Sequence, residues 1–182
     1  RVLLIDADIG LRNLDLVIGL ENRIVHDVVQ VIEGVCKPEE AMIQDKHIET
    51  LYLIPAAQTR DKDAVTGEQV KELCQNLKSN FDYVLIDSPA GIDQGFQAAL
   101  AAADHAVVVT TPDVAAIRDA DRVIGYIKAQ GLDTPDLILN RVRPRMVRHG
   151  DMMATNEILD LLSVKLMGLV PEDDQVIVST NR

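Results

Sequence analysis

The stretch Arg1-Val2-Leu3-Leu4-Ile5-Asp6-Ala7-Asp8-Ile9-Gly10-Leu11-Arg12-Asn13-Leu14-Asp15 decides how the rest of the chain is read. Val2 to Ile5 is a short apolar run with the length and branching of a strand buried on both faces, and it delivers Asp6 and Asp8 at its carboxyl end. Ligands of open α/β sheets sit at that end. The same pattern returns in Asp82-Tyr83-Val84-Leu85-Ile86-Asp87-Ser88-Pro89-Ala90-Gly91, an apolar run closed by an acid, a proline and a glycine. Laid side by side, the two strands would gather Asp6, Asp8 and Asp87 around one point, an arrangement suited to holding Mg²⁺ and a water beside a nucleotide's phosphates. A single strand-terminal Asp more often starts a turn or caps a helix. Two strands with acids at the same end, one of them carrying Asp-x-x-x-Gly, favour the phosphate site.

Working outward, the 182 residues are 47% hydrophobic and 26% charged, enough for one globular domain with a real core. Aromatics are only 3% and Trp is absent, so Val, Ile, Leu and Ala must build that core, which favours an aliphatic parallel sheet under helices over a β-sandwich. The net charge of -11 opposes affinity driven by nonspecific phosphate-backbone contacts, so no nucleic-acid partner is expected. Cys36 and Cys74 stand far apart without a Cys-x-x-Cys, which argues against a zinc site or a disulfide framework. No apolar run reaches membrane-spanning length and no signal-peptide pattern opens the chain.

Strands and helices alternate along the sequence. Gly10 to Glu21 reads as a partly helical loop over the site, Ile24 to Glu33 as a helix, and Pro38 to Ile43 as a short helix with Pro and acids in its first turn. Leu51 to Pro55 is a strand, and the charges of Ala57 to Asp63 read as a solvated loop. Thr66 and Gln69 have capping-box spacing, and Val70, Leu73, Cys74 and Leu77 follow at i, i+3, i+4 and i+7, so this helix is amphipathic with Cys74 in the core. Phe96 to Ala103 is an Ala-rich helix and Ala106 to Pro112 a strand. Ala116 to Lys128 is a helix whose outward charges, Asp119 and Asp121 among them, are either simply solvated or a partner surface. Leu137 to Asn140 is a strand, followed by the basic cluster of Arg141, Arg143, Arg145 and Arg148. Asn140 suits an adenine edge and suits a turn equally well. A helix at Glu157 to Leu162 and a strand at Leu166 to Val170 precede Pro171-Glu172-Asp173-Asp174, and no closing helix is expected after them. The alternation implies right-handed βαβ crossovers and an α/β, doubly wound, mostly parallel sheet flanked by helices.

Four stretches now carry a family resemblance: Ile5 to Asp15, Pro55 to Asp63, Asp87 to Ile92, and Arg118 to Arg122. Together, and in this order along the chain, they resemble the MinD septum-site ATPases of the deviant Walker A class of P-loop proteins. The resemblance implies ATP and Mg²⁺ as ligands, a homodimer on ATP, membrane attachment through a C-terminal amphipathic helix, hydrolysis stimulated by a MinE-type partner, and recruitment of a MinC-type inhibitor. It implies a cytoplasmic protein peripheral on the inner face of the cell membrane, or a stromal one if plastid-encoded. By motif, Asp8 would position the attacking water, Asp6 and Asp87 would hold Mg²⁺, and the Gly91 amide would sense the γ-phosphate. Asn140, Pro171 and Glu172 would surround adenine, and Asp119 and Asp121 would belong to the partner surface.

The family's glycine-rich Lys-Gly-Gly-Val-Gly-Lys-Thr loop is not in these residues, and the chain starts on Arg1 just before a strand. The expectation is therefore a single P-loop ATPase domain over 1-182, incomplete at both ends, that alone neither binds ATP tightly nor finds a membrane. A ParA-type DNA-segregation ATPase shares the switches but needs a basic surface. A flagellar-number regulator of the same family is a further alternative, and a nucleotide-free scaffold is the non-enzyme one. Iron-sulfur carrier relatives need a cysteine pair that this chain lacks.

Overall fold

The computed structural model describes residues 1–61 and 64–180. Lys62, Asp63, Asn181 and Arg182, and with the first two the end of the polar loop expected after the Leu51 strand, lie outside the described residues. The chain divides into two compact units, Arg1–Ala103 and Asp104–Arg182.

In the first unit the elements run β1 (Val2–Asp6), α1 (Leu14–Val17), α2 (Val28–Ile32), α3 (Pro38–Ala41), β2 (Ile43–Gln44), β3 (Leu51–Ile54), α4 (Gly67–Leu77), β4 (Tyr83–Asp87) and α5 (Gln94–Ala101). The four strands form one sheet in the order β2-β3-β1-β4. β1 lies parallel to both β3 and β4, and β2 is antiparallel to β3. The expected strand over Val2 to Ile5 is therefore central, and Leu3 and Ile5 are almost entirely buried. On one side Leu3, Ile5 and Ile54 pack with Val70, Leu73, Cys74 and Leu77 of α4, the face expected from helical spacing. On the other, Leu53 packs with Leu20 and Ile43, and Leu14 and Ile18 of the following loop lean on that group. Apolar contact thus seats the loop that leaves β1.

Local chemistry sets the helix boundaries. The Gln69 amide donates to the Thr66 hydroxyl and the Thr66 amide donates to the Gln69 side-chain oxygen, closing the capping box that opens α4. Asp27 and Gln30 make the same exchange at α2. That cap starts α2 at Val28, four residues later than the expected helix, because Ile24 to Asp27 is still finding its way out of a tight turn.

The second unit holds β5 (Val107–Thr110), α6 (Val114–Ala129), β6 (Asp136–Val142), α7 (Pro144–His149), α8 (Thr155–Leu162), β7 (Lys165–Pro171) and α9 (Asp174–Thr180). Its three strands are parallel in the order β5-β6-β7. Ile117, Ile124 and Ile127 of α6, Leu137 and Leu139 of β6, and Ile158 and Leu162 of α8 are among its most deeply buried residues. Three expectations change here. β6 runs on past Asn140 to Val142, with an irregular register against β7 between Leu139 and Val142. Part of the basic cluster lies on α7, which begins with Pro144 at its first turn and ends on Gly150 in the left-handed region. Asp174 to Thr180 is helical, whereas no closing helix was expected; Gln175 donates its amide to Asp173, so the acids after Pro171 start a helix rather than extend a loop.

Candidate active site

Parallel pairing of β1 with β4 sets Asp6 directly opposite Asp87. The Ala7 amide donates to the Asp87 carbonyl at 2.9 Å, so the register holds one residue beyond the strand end. Asp6 is 1% exposed. Its carboxylate accepts from the Asp8 amide at 3.0 Å and from the Leu14 amide at 3.4 Å, tying together both ends of the loop that follows. Burial nevertheless raises its pKa above the ordinary carboxylate value, with Asp87 and Asp8 adding repulsion. Asp87 is raised as well, first by desolvation and then by Asp8. Asp6 and Asp87 thus share one end of the sheet, and both are held above the ordinary carboxylate value.

The loop after Asp8 is tightly drawn. Leu11 and Arg12 both donate their amides to the Asp8 carbonyl, at 3.1 Å each, and Gly10 donates to Ala57 at 2.8 Å. Gly10 has φ +91, a conformation that favours glycine. Beyond β4, Gly91 has φ +95 and open space where a side chain would start. Asp93 then caps α5 by accepting from the Phe96 amide. Gly95 lies so close to Pro89 that a Cβ there would come within 2.9 Å of the ring. The Ser88–Asp93 turn is thereby pinned to α5.

Among the described residues no three metal-ligating side chains close on one point. The acids would thus hold a divalent ion mainly through water, which is how Mg²⁺ is usually bound. One oxygen of Asp8, Oδ1, is buried and has no hydrogen-bond partner among the described residues, so the donor set fits such an ion or its water shell. The apolar cavity beneath, lined by Ile5, Val28, Val70 and Ala98, measures about 10 Å³ and takes no ligand.

Pro171 and Glu172 come together in the second unit beside Val142, two residues past Asn140. Val142 pairs with Pro171, and the Glu172 amide donates to the Val142 carbonyl at 3.0 Å. Asn140 Oδ1 accepts from the Arg141 amide at 2.9 Å, a bond between neighbouring residues inside β6. Glu172 is gripped by Arg143 and by Arg141, the latter at 2.8 and 3.1 Å, and its pKa falls to about 2, chiefly through Arg143. The sequence reading missed this fork, whose members are 29 and 31 residues apart. Asp119 and Asp121 stand exposed on α6, opposite its buried Ile117, Ala120 and Ile124. Asp119 makes a loose pair with Arg122 at 3.7 Å.

Comparison with known proteins bears on this geometry. The family described as an AAA domain matches residues 1–133. A septum site-determining protein MinD from Guillardia theta is 53% identical over 182 residues, covering the whole chain and 68% of that relative. In the MinC:MinD cell division protein complex of Aquifex aeolicus, a chain 43% identical superposes with a TM-score of 0.91, over all of this chain and 73% of that one. The Pyrococcus horikoshii septum site-determining protein MinD, solved with Mg-ADP, is 28% identical with a TM-score of 0.85, over 98% of this chain and 72% of that one. No helix among the described residues is long and apolar enough to cross a membrane. Over its whole length, then, the chain belongs to the MinD family of septum site-determining proteins, cell-division ATPases with the P-loop fold.

Proposed function

We propose that this chain is part of an ATPase that places the division site by cycling between an ATP-bound, membrane-associated dimer and a released form. The single observation that carries the catalytic part is the register of Asp6 against Asp87, with the Asp8 amide bonded back onto Asp6. The MinC-containing complex of the Aquifex relative supports a MinC-type partner, and the Mg-ADP in the Pyrococcus relative supports nucleotide and Mg²⁺. Dimerisation on ATP, membrane binding and stimulation by a MinE-type protein complete the proposal.

Phosphoryl transfer asks a protein mainly for positioning and charge neutralisation. In this reading Asp8 orients the attacking water. Asp6 and Asp87 would hold Mg²⁺ through its water shell, where the ion would supply charge neutralisation for phosphoryl transfer. The Gly91 amide donates to the γ-phosphate, where the absence of a side chain leaves room for close approach. Asn140, Pro171 and Glu172 enclose the adenine, with Asn140 offering its paired donor and acceptor. Asp119 and Asp121 on α6 present charge to the stimulating or inhibitory partner.

The test is ATP turnover by the complete reading frame, with and without anionic liposomes and a MinE-type protein, beside Asp8→Ala. The expected result is turnover raised by lipid and partner, and lowered by roughly 100-fold or more in Asp8→Ala with ATP binding kept. Turnover that ignores lipid and rises with DNA would reassign the chain to DNA segregation.

A further inference from the structure

Arg12 and Asp15 take no part in the mechanism above, yet they are the most unusual residues of the loop that carries Asp8. Asp15 is 1% exposed, as deeply buried as Asp6. Asp6 accepts two backbone amides, whereas neither carboxylate oxygen of Asp15 accepts a hydrogen bond among the described residues. Among the described residues its one ion-pair partner is Arg12, whose Nε lies 3.2 Å from Oδ2 and is itself buried and poorly aligned for a hydrogen bond. Arg12 also has φ +28, which a residue with a side chain adopts only when its surroundings hold it there. A buried ion pair without supporting hydrogen bonds is poor at stabilising a fold, and breaking it strands a charge. Strain and weak bonding thus meet in four residues, on a segment otherwise seated firmly at Leu14 and Leu20.

The backbone shows what the pair controls. The Arg12 amide donates to the carbonyl of Asp8, so the strained turn at Arg12 is part of the ring that sets where Asp8 sits. Three residues on, the Asp15 carbonyl accepts the Leu20 amide at 2.8 Å and anchors the far end. We propose that Arg12 and Asp15 are positioning residues, a charge-held latch that keeps the Asp8 turn in the arrangement needed to orient the attacking water. The inference rests on the reading of Asp8 given above. While the pair is closed, Arg12 stays in its left-handed conformation with its amide on Asp8. When it opens, the turn relaxes toward ordinary φ values and Asp8 loses its fixed place.

Two measurements test this together. Amide hydrogen exchange on the 182-residue chain follows the Arg12, Leu14 and Leu20 amides against those of β1 and β4 in Arg12→Ala and in the isosteric Asp15→Asn. Steady-state turnover of the complete reading frame follows the same variants, their double mutant, Arg12→Lys and Asp8→Ala. A latch predicts exchange at Arg12 and Leu14 faster by about tenfold or more with β1 and β4 unchanged. It also predicts kcat lowered about tenfold with KM for ATP within about twofold, a double mutant no worse than either single, and partial rescue by Arg12→Lys. Exchange that stays at the wild-type level, or rises equally in β1 and β4, overturns the latch, as does wild-type kcat in Asp15→Asn. Asp8→Ala separates the two readings. If it keeps full turnover the water-positioning role falls; if it abolishes turnover while the latch variants match wild type, only the latch falls.

Discussion

Asp87 and Glu172 show how the same side-chain chemistry is driven in opposite directions by its neighbours. Desolvation and the nearby Asp8 lift the Asp87 pKa, so the folded chain keeps this proton after the unfolded chain has released it. Its contribution to stability is therefore complete below the unfolded value, about 3.9, and declines as pH rises through the raised one. Asp87→Asn should flatten the fall in stability across that window, measured by urea denaturation at several pH values; a slope unchanged from wild type would show that Asp87 is not strained. Glu172 behaves the other way. Arg143 first and Arg141 second hold its carboxyl down at about 2, so its contribution is present above the ordinary Glu value and is lost only as pH falls toward that number. Carboxyl-carbon NMR titration should find the Glu172 midpoint raised more by Arg143→Ala than by Arg141→Ala. Equal shifts would mean that the two arginines share the load.

Among the elements, α4 and α5 show which of two effects wins. Ala is a better helix former than Gly by roughly 0.5–1 kcal/mol, so propensity favours Gly67→Ala. The added Cβ would stand 2.8 Å from the Ala101 Cβ of α5, and both helices would have to shift. Overpacking of this kind costs about 1–3 kcal/mol, so the variant should be less stable by about 1 kcal/mol or more in chemical denaturation. Thr66→Ala removes the hydroxyl that caps the same helix and should cost about 1 kcal/mol, without the packing change. A stabilised Gly67→Ala would mean that α5 moves away freely. Both helices were legible from the sequence, α4 from its capping box and apolar spacing. The close approach of Gly67 to Ala101 was not, because residues 34 positions apart announce no contact in a single sequence.

For the molecule as a whole, charge and exposed apolar surface make separate predictions. A net charge of -11 repels a polyanion, so no salt-sensitive binding to a DNA duplex should appear in a shift assay at low salt. Several strand residues remain open to solvent, Tyr83 and Leu85 on β4 and Val109 on β5 among them, each more than half exposed. Apolar strand faces of this kind attract partners or one another. The 182-residue chain on its own should bind a hydrophobic dye and associate as its concentration rises, read by sedimentation. A dye-silent monomer would contradict the exposed face.

The strand-ending acids, the capping boxes, the aliphatic composition and the order of motifs are local properties, and the sequence alone determined from them the α/β class, the placing of Asp6 and Asp87 at one end of the sheet and the likeness to MinD. Strand pairing was decided only in three dimensions. The two-residue β2 is too short to show a period, and β6 continues past Asn140 because β7 supplies its hydrogen bonds. The burial of Asp15 is likewise tertiary. An aspartate three residues after an arginine reads as a solvated surface pair until the folded chain closes over it and leaves it 1% exposed. Periodicity reports which side of an element faces inward, whereas the loss of water around a particular charge depends on chain segments that sequence spacing does not bring to notice.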